Sequence, residues 1–201
     1  MKISVLGLGY IGLPTALLFA KGGHEVIGVD VNQQVIDSLN AGNIHIEEAG
    51  LQELFDQAKD HFIAQNTISE ADAFIIAVPT PLNKSLRIAD LSYVRAAAAM
   101  IATKLKKQDL VVLESTVPPG ASERIVIPIL EKSGLSGSDF FYAHCPERAI
   151  PGNTIHEMVH NDRIIGGTNP ESGMRARELY SSFVQGSIFP VSYTHLRAHE
   201  T

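Results

Sequence analysis

Tryptophan is absent from this chain, cysteine occurs once, and aromatic residues make up only 6% of its 201 positions. A single cysteine, Cys145, rules out an internal disulfide, so the fold must rest on its core alone. Basic residues are also in short supply. Sixteen Lys and Arg against 22 Asp and Glu give a net charge of −6, which excludes a general attraction for nucleic acid or an anionic membrane surface. Any anion must be bound locally. No stretch reaches the roughly 18 apolar residues of a membrane span, and the apolar run after Lys2 is broken by Gly7, Gly9, Gly12 and Pro14, unlike a secretory signal. Neither an internal repeat nor a low-complexity linker is visible. The cytoplasm is the expected location.

What the chain does have is a 45% hydrophobic content distributed in an alternating pattern. Short β-branched runs alternate with longer segments of helical period, the pattern of parallel strands joined by crossover helices, so the expected class is α/β. Lys2 to Leu6 reads as a strand, Tyr10 to Lys21 as a helix and Glu25 to Val29 as a second strand, which makes a βαβ unit. Asn32 can cap a helix running to Asn40. Helices are also expected at Leu51 to Lys59, Leu91 to Lys106, Ser122 to Lys132 and Glu171 to Val184. Further strands are expected at Ala73 to Val78, Leu110 to Leu113, Phe140 to Ala143, Arg163 to Ile165 and Ser187 to Val191.

Gly7-Leu-Gly9-Tyr-Ile-Gly12 lies directly between the first strand and the first helix, the setting in which a G-x-G-x-x-G string points to a dinucleotide. Gly7 would make the tight turn, Gly9 would admit the pyrophosphate and Gly12 would let helix and strand pack closely. The helix N-terminus would face the phosphates. Asp30 ends the second strand, where a carboxylate can accept hydrogen bonds from the adenosine ribose. It would repel a 2′-phosphate, and no Arg follows in V-D-V-N-Q-Q, which favours NAD over NADP; FAD uses a similar fingerprint.

Three later loops follow expected strands. Val78-Pro-Thr-Pro81 and Glu114-Ser-Thr-Val-Pro-Pro-Gly120 offer Thr80, Ser115 and Thr116 as uncharged donors on proline-stiffened backbone. The same residues could equally end strands and cap a helix. His144-Cys-Pro-Glu-Arg-Ala-Ile-Pro-Gly152 adds Arg148, suited to a phosphate or carboxylate, and Glu147, able to take a proton. As a pair they could also form a plain surface ion pair. Cys145 reads as a small buried hydrophobe. His24, His45, His61, His144, His156 and His160 read as surface or packing residues, and no metal site is expected.

With GLGYIGLPTA, AVPTP, LESTVPPG and CPERAIPG in that order, the chain resembles the N-terminal part of the UDP-glucose/GDP-mannose dehydrogenase family, from Met1 to about Pro190. GNIHIEE, CPERAIPGN and NDRIIGGTNPES point within it to the branch acting on UDP-linked N-acetylamino sugars. The resemblance implies a doubly wound, mostly parallel, Rossmann-like NAD-binding domain over residues 1–191. It implies oxidation of a sugar C6 alcohol to a carboxylate in two hydride transfers, with NAD as cofactor, a nucleotide sugar as substrate and a homodimer as the intact protein. By the same resemblance Tyr10, Ile11, Asp30, Thr80 and Thr116 contact NAD, beside Gly7, Gly9 and Gly12. Thr116 and Glu147 hold and deprotonate the water of the hydrolytic step, and Arg148 and Ala149 contact the sugar nucleotide.

The resemblance also implies a catalytic cysteine in a G-G-x-C motif and a lysine partner, both in a C-terminal part that this sequence does not contain. Residues 192–201 depart from the family and resemble a translated adapter sequence, so they are expected to be a non-native tail. His195 and His199, at helical spacing within it, lack a third ligand for a metal. The expectation is a chain that binds NAD but does not turn over. UDP-glucose 6-dehydrogenase or another family member, a two-electron hydroxyacid dehydrogenase and a non-catalytic NAD-binding regulatory module are the alternatives.

Overall fold

The computed structural model describes residues 1–83 and 88–192. The tail from residue 193, with His195 and His199, lies outside the described residues. The strands are β1 (Lys2–Leu6), β2 (Glu25–Val29), β3 (Phe62–Gln65), β4 (Ala73–Ile76), β5 (Leu82–Asn83), β6 (Ile88–Ala89), β7 (Leu110–Leu113), β8 (Phe141–His144), β9 (Arg163–Gly167) and β10 (Ile188–Ser192). Around them lie α1 (Gly12–Lys21), α2 (Gln33–Asn40), α3 (Leu51–Ala58), α4 (Ser92–Ala102), α5 (Ile127–Leu130), α6 (Thr154–His160) and α7 (Pro170–Tyr180).

Eight strands form one sheet in the order β10-β9-β8-β7-β4-β1-β2-β3, while β5 and β6 make a separate antiparallel hairpin. From β3 to β8 all pairs are parallel; β9 runs antiparallel to β8, and β10 is parallel to β9. The sheet is therefore mostly parallel and doubly wound. Side chains alternate between its faces, as strand geometry requires. Ala73 and Ile75 of β4 and Leu110 and Val112 of β7 join a core with α1, α3 and α7, whereas Phe74, Ile76, Val111 and Leu113 join the opposite core with α4 and α5. Burial on both faces explains why these strands read as continuous apolar runs.

Asn32 caps α2 as expected, its side chain accepting from the Gln34 N–H at 3.0 Å. Four features depart from the sequence reading, one of them the β5–β6 hairpin, where no strand was expected. The segment from Ser122 opens as a wide π turn to Val126 before α5 and ends in a 3-10 turn, because Pro128 cannot donate to a regular helical ladder. The edge strand β3 and the short helix α6 were not expected from the periodicity.

Candidate functional site

The chain reverses direction in strand order at β1, which has β2 on one side and β4 on the other. In open sheets of this kind, ligands lie outside the carboxyl ends of the strands at such a switch point. A cavity of about 700 Å³ opens there, lined by Gly7, Gly9, Tyr10 and Ile11 after β1, Asp30 after β2, Thr80 after β4, Glu114, Ser115 and Thr116 after β7, and Glu147 after β8.

Each glycine of the first loop has a distinct local reason. Gly7 has φ +92°, a left-handed conformation that side chains resist, and a Cβ there would meet the Ala77 carbonyl oxygen at 2.7 Å. Gly12 lies against the Gly7 carbonyl and does not line the cavity. Gly9 faces open space, with nothing within 4 Å of a Cβ built there, so the backbone is accessible from the cavity. Asp30 closes this loop from the side: its Oδ2 accepts the Leu8 N–H at 2.9 Å and its Oδ1 accepts the Asn32 N–H at 2.9 Å. A carboxylate offers about four acceptor sites, so capacity for ribose hydroxyls remains. These residues fit a dinucleotide: the open Gly9 backbone and the first turn of α1 suit a pyrophosphate, and half-buried Asp30 suits a ribose.

The strand-end loops are stitched together by their own hydroxyls. Thr80 Oγ1 donates to the Thr116 carbonyl at 2.8 Å, and Ser115 Oγ donates to the Val78 carbonyl at 2.7 Å. Thr116 itself is exposed to the cavity.

Behind this wall lies a buried ionic cluster. Glu114 follows the face alternation of β7 toward α1 and α7, where its carboxylate accepts from Thr15 Oγ1 at 2.9 Å and from the Tyr180 hydroxyl at 3.0 Å. Arg163, at the start of β9, reaches both Glu147 Oε2 at 2.5 Å and Glu114 Oε1 at 3.7 Å. Their side chains are 5%, 7% and 0% exposed for Arg163, Glu147 and Glu114 respectively. The guanidinium also lies 4.9 Å from the centre of the Tyr180 ring and donates to the Met158 carbonyl at 3.2 Å. Burial pushes the Glu114 carboxyl up to about 7; the Arg163 charge opposes the rise and the Glu147 charge adds to it. Burial likewise pushes the Cys145 thiol up to about 12, so this sulfur is a packed side chain and not a nucleophile.

The structure thus brings Gly7, Gly9, Tyr10, Ile11, Asp30, Thr80, Thr116 and Glu147 to one cavity. Arg148 and Ala149 stand beside it, their backbone N–H groups donating to Glu147 Oε1 at 2.7 and 3.0 Å. The Arg148 side chain turns to the Asp162 carbonyl at 3.2 Å. The surface pairing of Glu147 with Arg148 considered from sequence is replaced by the buried pairing with Arg163, which no sequence argument singled out. A charged residue opening the apolar strand R-I-I-G-G was the available signal. The loop is held from outside by Glu48, whose carboxylate oxygens accept the Thr154 N–H at 2.9 Å and the Gly152 N–H at 2.8 Å. Among the described residues no group of three or more His, Cys, Asp or Glu is placed to hold a metal, and no helix is long and apolar enough to cross a membrane.

This geometry has close counterparts. UDP-N-acetyl-D-mannosamine dehydrogenase of Campylobacter jejuni is 48% identical over 195 residues, covering 92% of this chain and 48% of that protein. NDP-N-acetyl-D-galactosaminuronic acid dehydrogenase of Ralstonia nicotianae is 49% identical over 194 residues, covering 92% of this chain and 46% of that protein. The solved UDP-N-acetyl-mannosamine dehydrogenase from Staphylococcus aureus superposes with a TM-score of 0.94 at 42% identity, covering 100% of this chain and 50% of that one. The chain therefore spans about half the length of the relatives it matches. Residues 1–184 match the NAD-binding domain of the UDP-glucose/GDP-mannose dehydrogenase family, and the chain belongs to that family.

Proposed function

We propose that residues 1–191 form the NAD-binding domain of a nucleotide-sugar 6-dehydrogenase that oxidises UDP-N-acetyl-D-mannosamine to UDP-N-acetyl-D-mannosaminuronate in two hydride transfers. The observation that carries this reading is the convergence of the glycine loop, Asp30, Thr80, Thr116 and Glu147 on one cavity. The named Campylobacter relative supports the choice of sugar.

In this reading Gly7, Gly9, Gly12, Tyr10 and Ile11 would shape the pyrophosphate end, Asp30 would accept from the adenosine ribose, and Thr80 and Thr116 would contact the dinucleotide from the facing loops. Bound NAD supplies the hydride acceptor for the sugar C6. Thr116 and Glu147 hold a water and draw a proton from it when the oxidised C6 is hydrolysed, a step that needs a base at the cavity wall. Arg148 and Ala149 approach the sugar nucleotide from the loop that Glu147 and Glu48 fix.

Oxidation beyond the aldehyde requires a hydrate or a thiol adduct as hydride donor. The buried Cys145 does not serve as that thiol, so the chain by itself binds NAD without completing the reaction, and the nucleophile comes from the rest of the protein. The intact enzyme acts as a cytoplasmic homodimer in this proposal, which for those two points rests on family resemblance alone.

Calorimetry with NAD and NADP, on the chain and on Asp30→Ala, tests the reading. NAD is expected to bind, NADP to bind far more weakly, and the variant to lose most of that preference. A folded chain that binds neither nucleotide overturns it.

A further inference from the structure

Two carboxylates, Glu114 and Glu147, line the inner wall of the cavity, and among the described residues one cation, Arg163, reaches them. Glu147 has the closer contact with Arg163, at 2.5 Å, and Glu114 the longer one, at 3.7 Å. The groups that face Glu114 are Thr15 from α1, Tyr180 from α7, Arg163 from β9, and Cys145 and Glu147 from the loop after β8. Only Arg163 among them is positive. An arginine does not give up its proton in a protein. Two buried negative charges sharing one positive charge leave one carboxylate uncompensated, and such a group takes up a proton in preference to remaining charged away from water.

We propose that Arg163 is a positioning residue shared by both cavity carboxylates: its guanidinium pairs with Glu147 at the cavity wall, and Glu114 carries the proton that balances the pair. The geometry selects Glu114 as the proton holder. It is the more distant of the two from the guanidinium and wholly enclosed, and its burial outweighs the Thr15 and Tyr180 hydroxyls, whose hydrogen bonds favour the charged form. Glu147 has the nearer guanidinium contact and two backbone N–H groups on its other oxygen.

The idea rests on the proposed function only for the base role of Glu147. It is tested on this chain with glutamate labelled at the side-chain carboxyl, followed by NMR from about pH 5 to about pH 9. The Glu114 resonance, identified by its loss in Glu114→Gln, is expected to titrate near 7. In Glu147→Gln, where the guanidinium belongs to Glu114 alone and the like charge is gone, its midpoint is expected to fall by about one pH unit or more. Glu147→Asp, which withdraws the carboxylate by one methylene, should lower it by less and serves if the first variant does not fold. A Glu114 midpoint that does not move in the folded variants means that burial alone sets it, and overturns the sharing. NAD calorimetry on the same samples separates the two readings: loss of NAD binding with the midpoint shift intact counts against the proposed function only.

Discussion

Gly12 sits so near Gly7 that a Cβ on residue 12 would stand 1.8 Å from the Gly7 carbonyl oxygen. The first turn of α1 is thereby locked to the loop before it. Gly12→Ala must push helix and strand apart and is expected to cost about 2 kcal/mol or more, read as a melting temperature lower by about 5 °C or more. Gly9→Ala meets nothing within 4 Å and should leave the melt nearly unchanged. If phosphates approach there, it nevertheless weakens NAD binding about tenfold or more, a loss of about 1.4 kcal/mol. Equal NAD affinity in Gly9→Ala and the parent chain would place the pyrophosphate elsewhere.

Ser4 lies wholly buried in β1 between Ile27 of β2 and Phe74 of β4, and its hydroxyl has no hydrogen-bond partner among the described residues. Removing an unsatisfied buried hydroxyl removes its desolvation cost. Ser4→Ala should therefore stabilise the chain by about 1 kcal/mol, raising the melting temperature by about 2–4 °C. A lower melting point would show that the hydroxyl has a partner after all.

Stability should fall as pH rises through neutrality. Burial raises the folded carboxyl of Glu114 to about 7 from its ordinary 4.5 and that of Asp109 to about 6 from 3.8. Between those limits the folded chain holds more protons than the unfolded one, so their contribution is complete below the ordinary values and is lost as pH climbs through about 6 and then about 7. Melts across this range should show the drop, and Glu114→Gln, which keeps a neutral side chain at every pH, should flatten its upper part. A parent and variant with parallel pH profiles would remove Glu114 from the account.

Glu48 pins the Gly152 and Thr154 amides from a loop about a hundred residues earlier in the chain. Although partial burial opposes ionisation, these hydrogen bonds hold its carboxyl below the usual range. Glu48→Ala should speed hydrogen exchange at both amides by about tenfold while leaving β1 and α1 protected. Unchanged exchange would mean that the loop holds its own shape.

The parts legible in the sequence were those whose information is local. The bounds of β1, β2 and β7 follow from short apolar runs closed by glycine or by a turn residue, and Asn32 announces α2 by its own capping chemistry. The glycine loop and Asp30 were legible for the same reason. By contrast, β3 has an exposed edge face carrying Ile63, so its four residues show no clear alternation. The helix α6 follows Pro151-Gly152 and receives Glu48 at its first residue from far away in the chain. The pairing of Arg163 with Glu114 and Glu147 depends on three separate strand ends meeting, which no window of sequence contains.

The reversal of β9 changes which residues of a strand stand at the cavity end of the sheet. In a parallel sheet the first residues of strands, such as Lys2, Ala73 and Leu110, lie at the edge away from the cofactor. β9 pairs with β8 in the opposite sense, Ala143 with Gly167 and His144 with Gly166, and stepping that register onward sets Arg163 level with Glu147. The entrances of β9 and β10 therefore stand at the end of the sheet where the other strands have their exits. By turning β9 and β10 over, the fold places a cation at a rim otherwise furnished by loops, on rigid backbone that insertions in those loops would leave undisturbed.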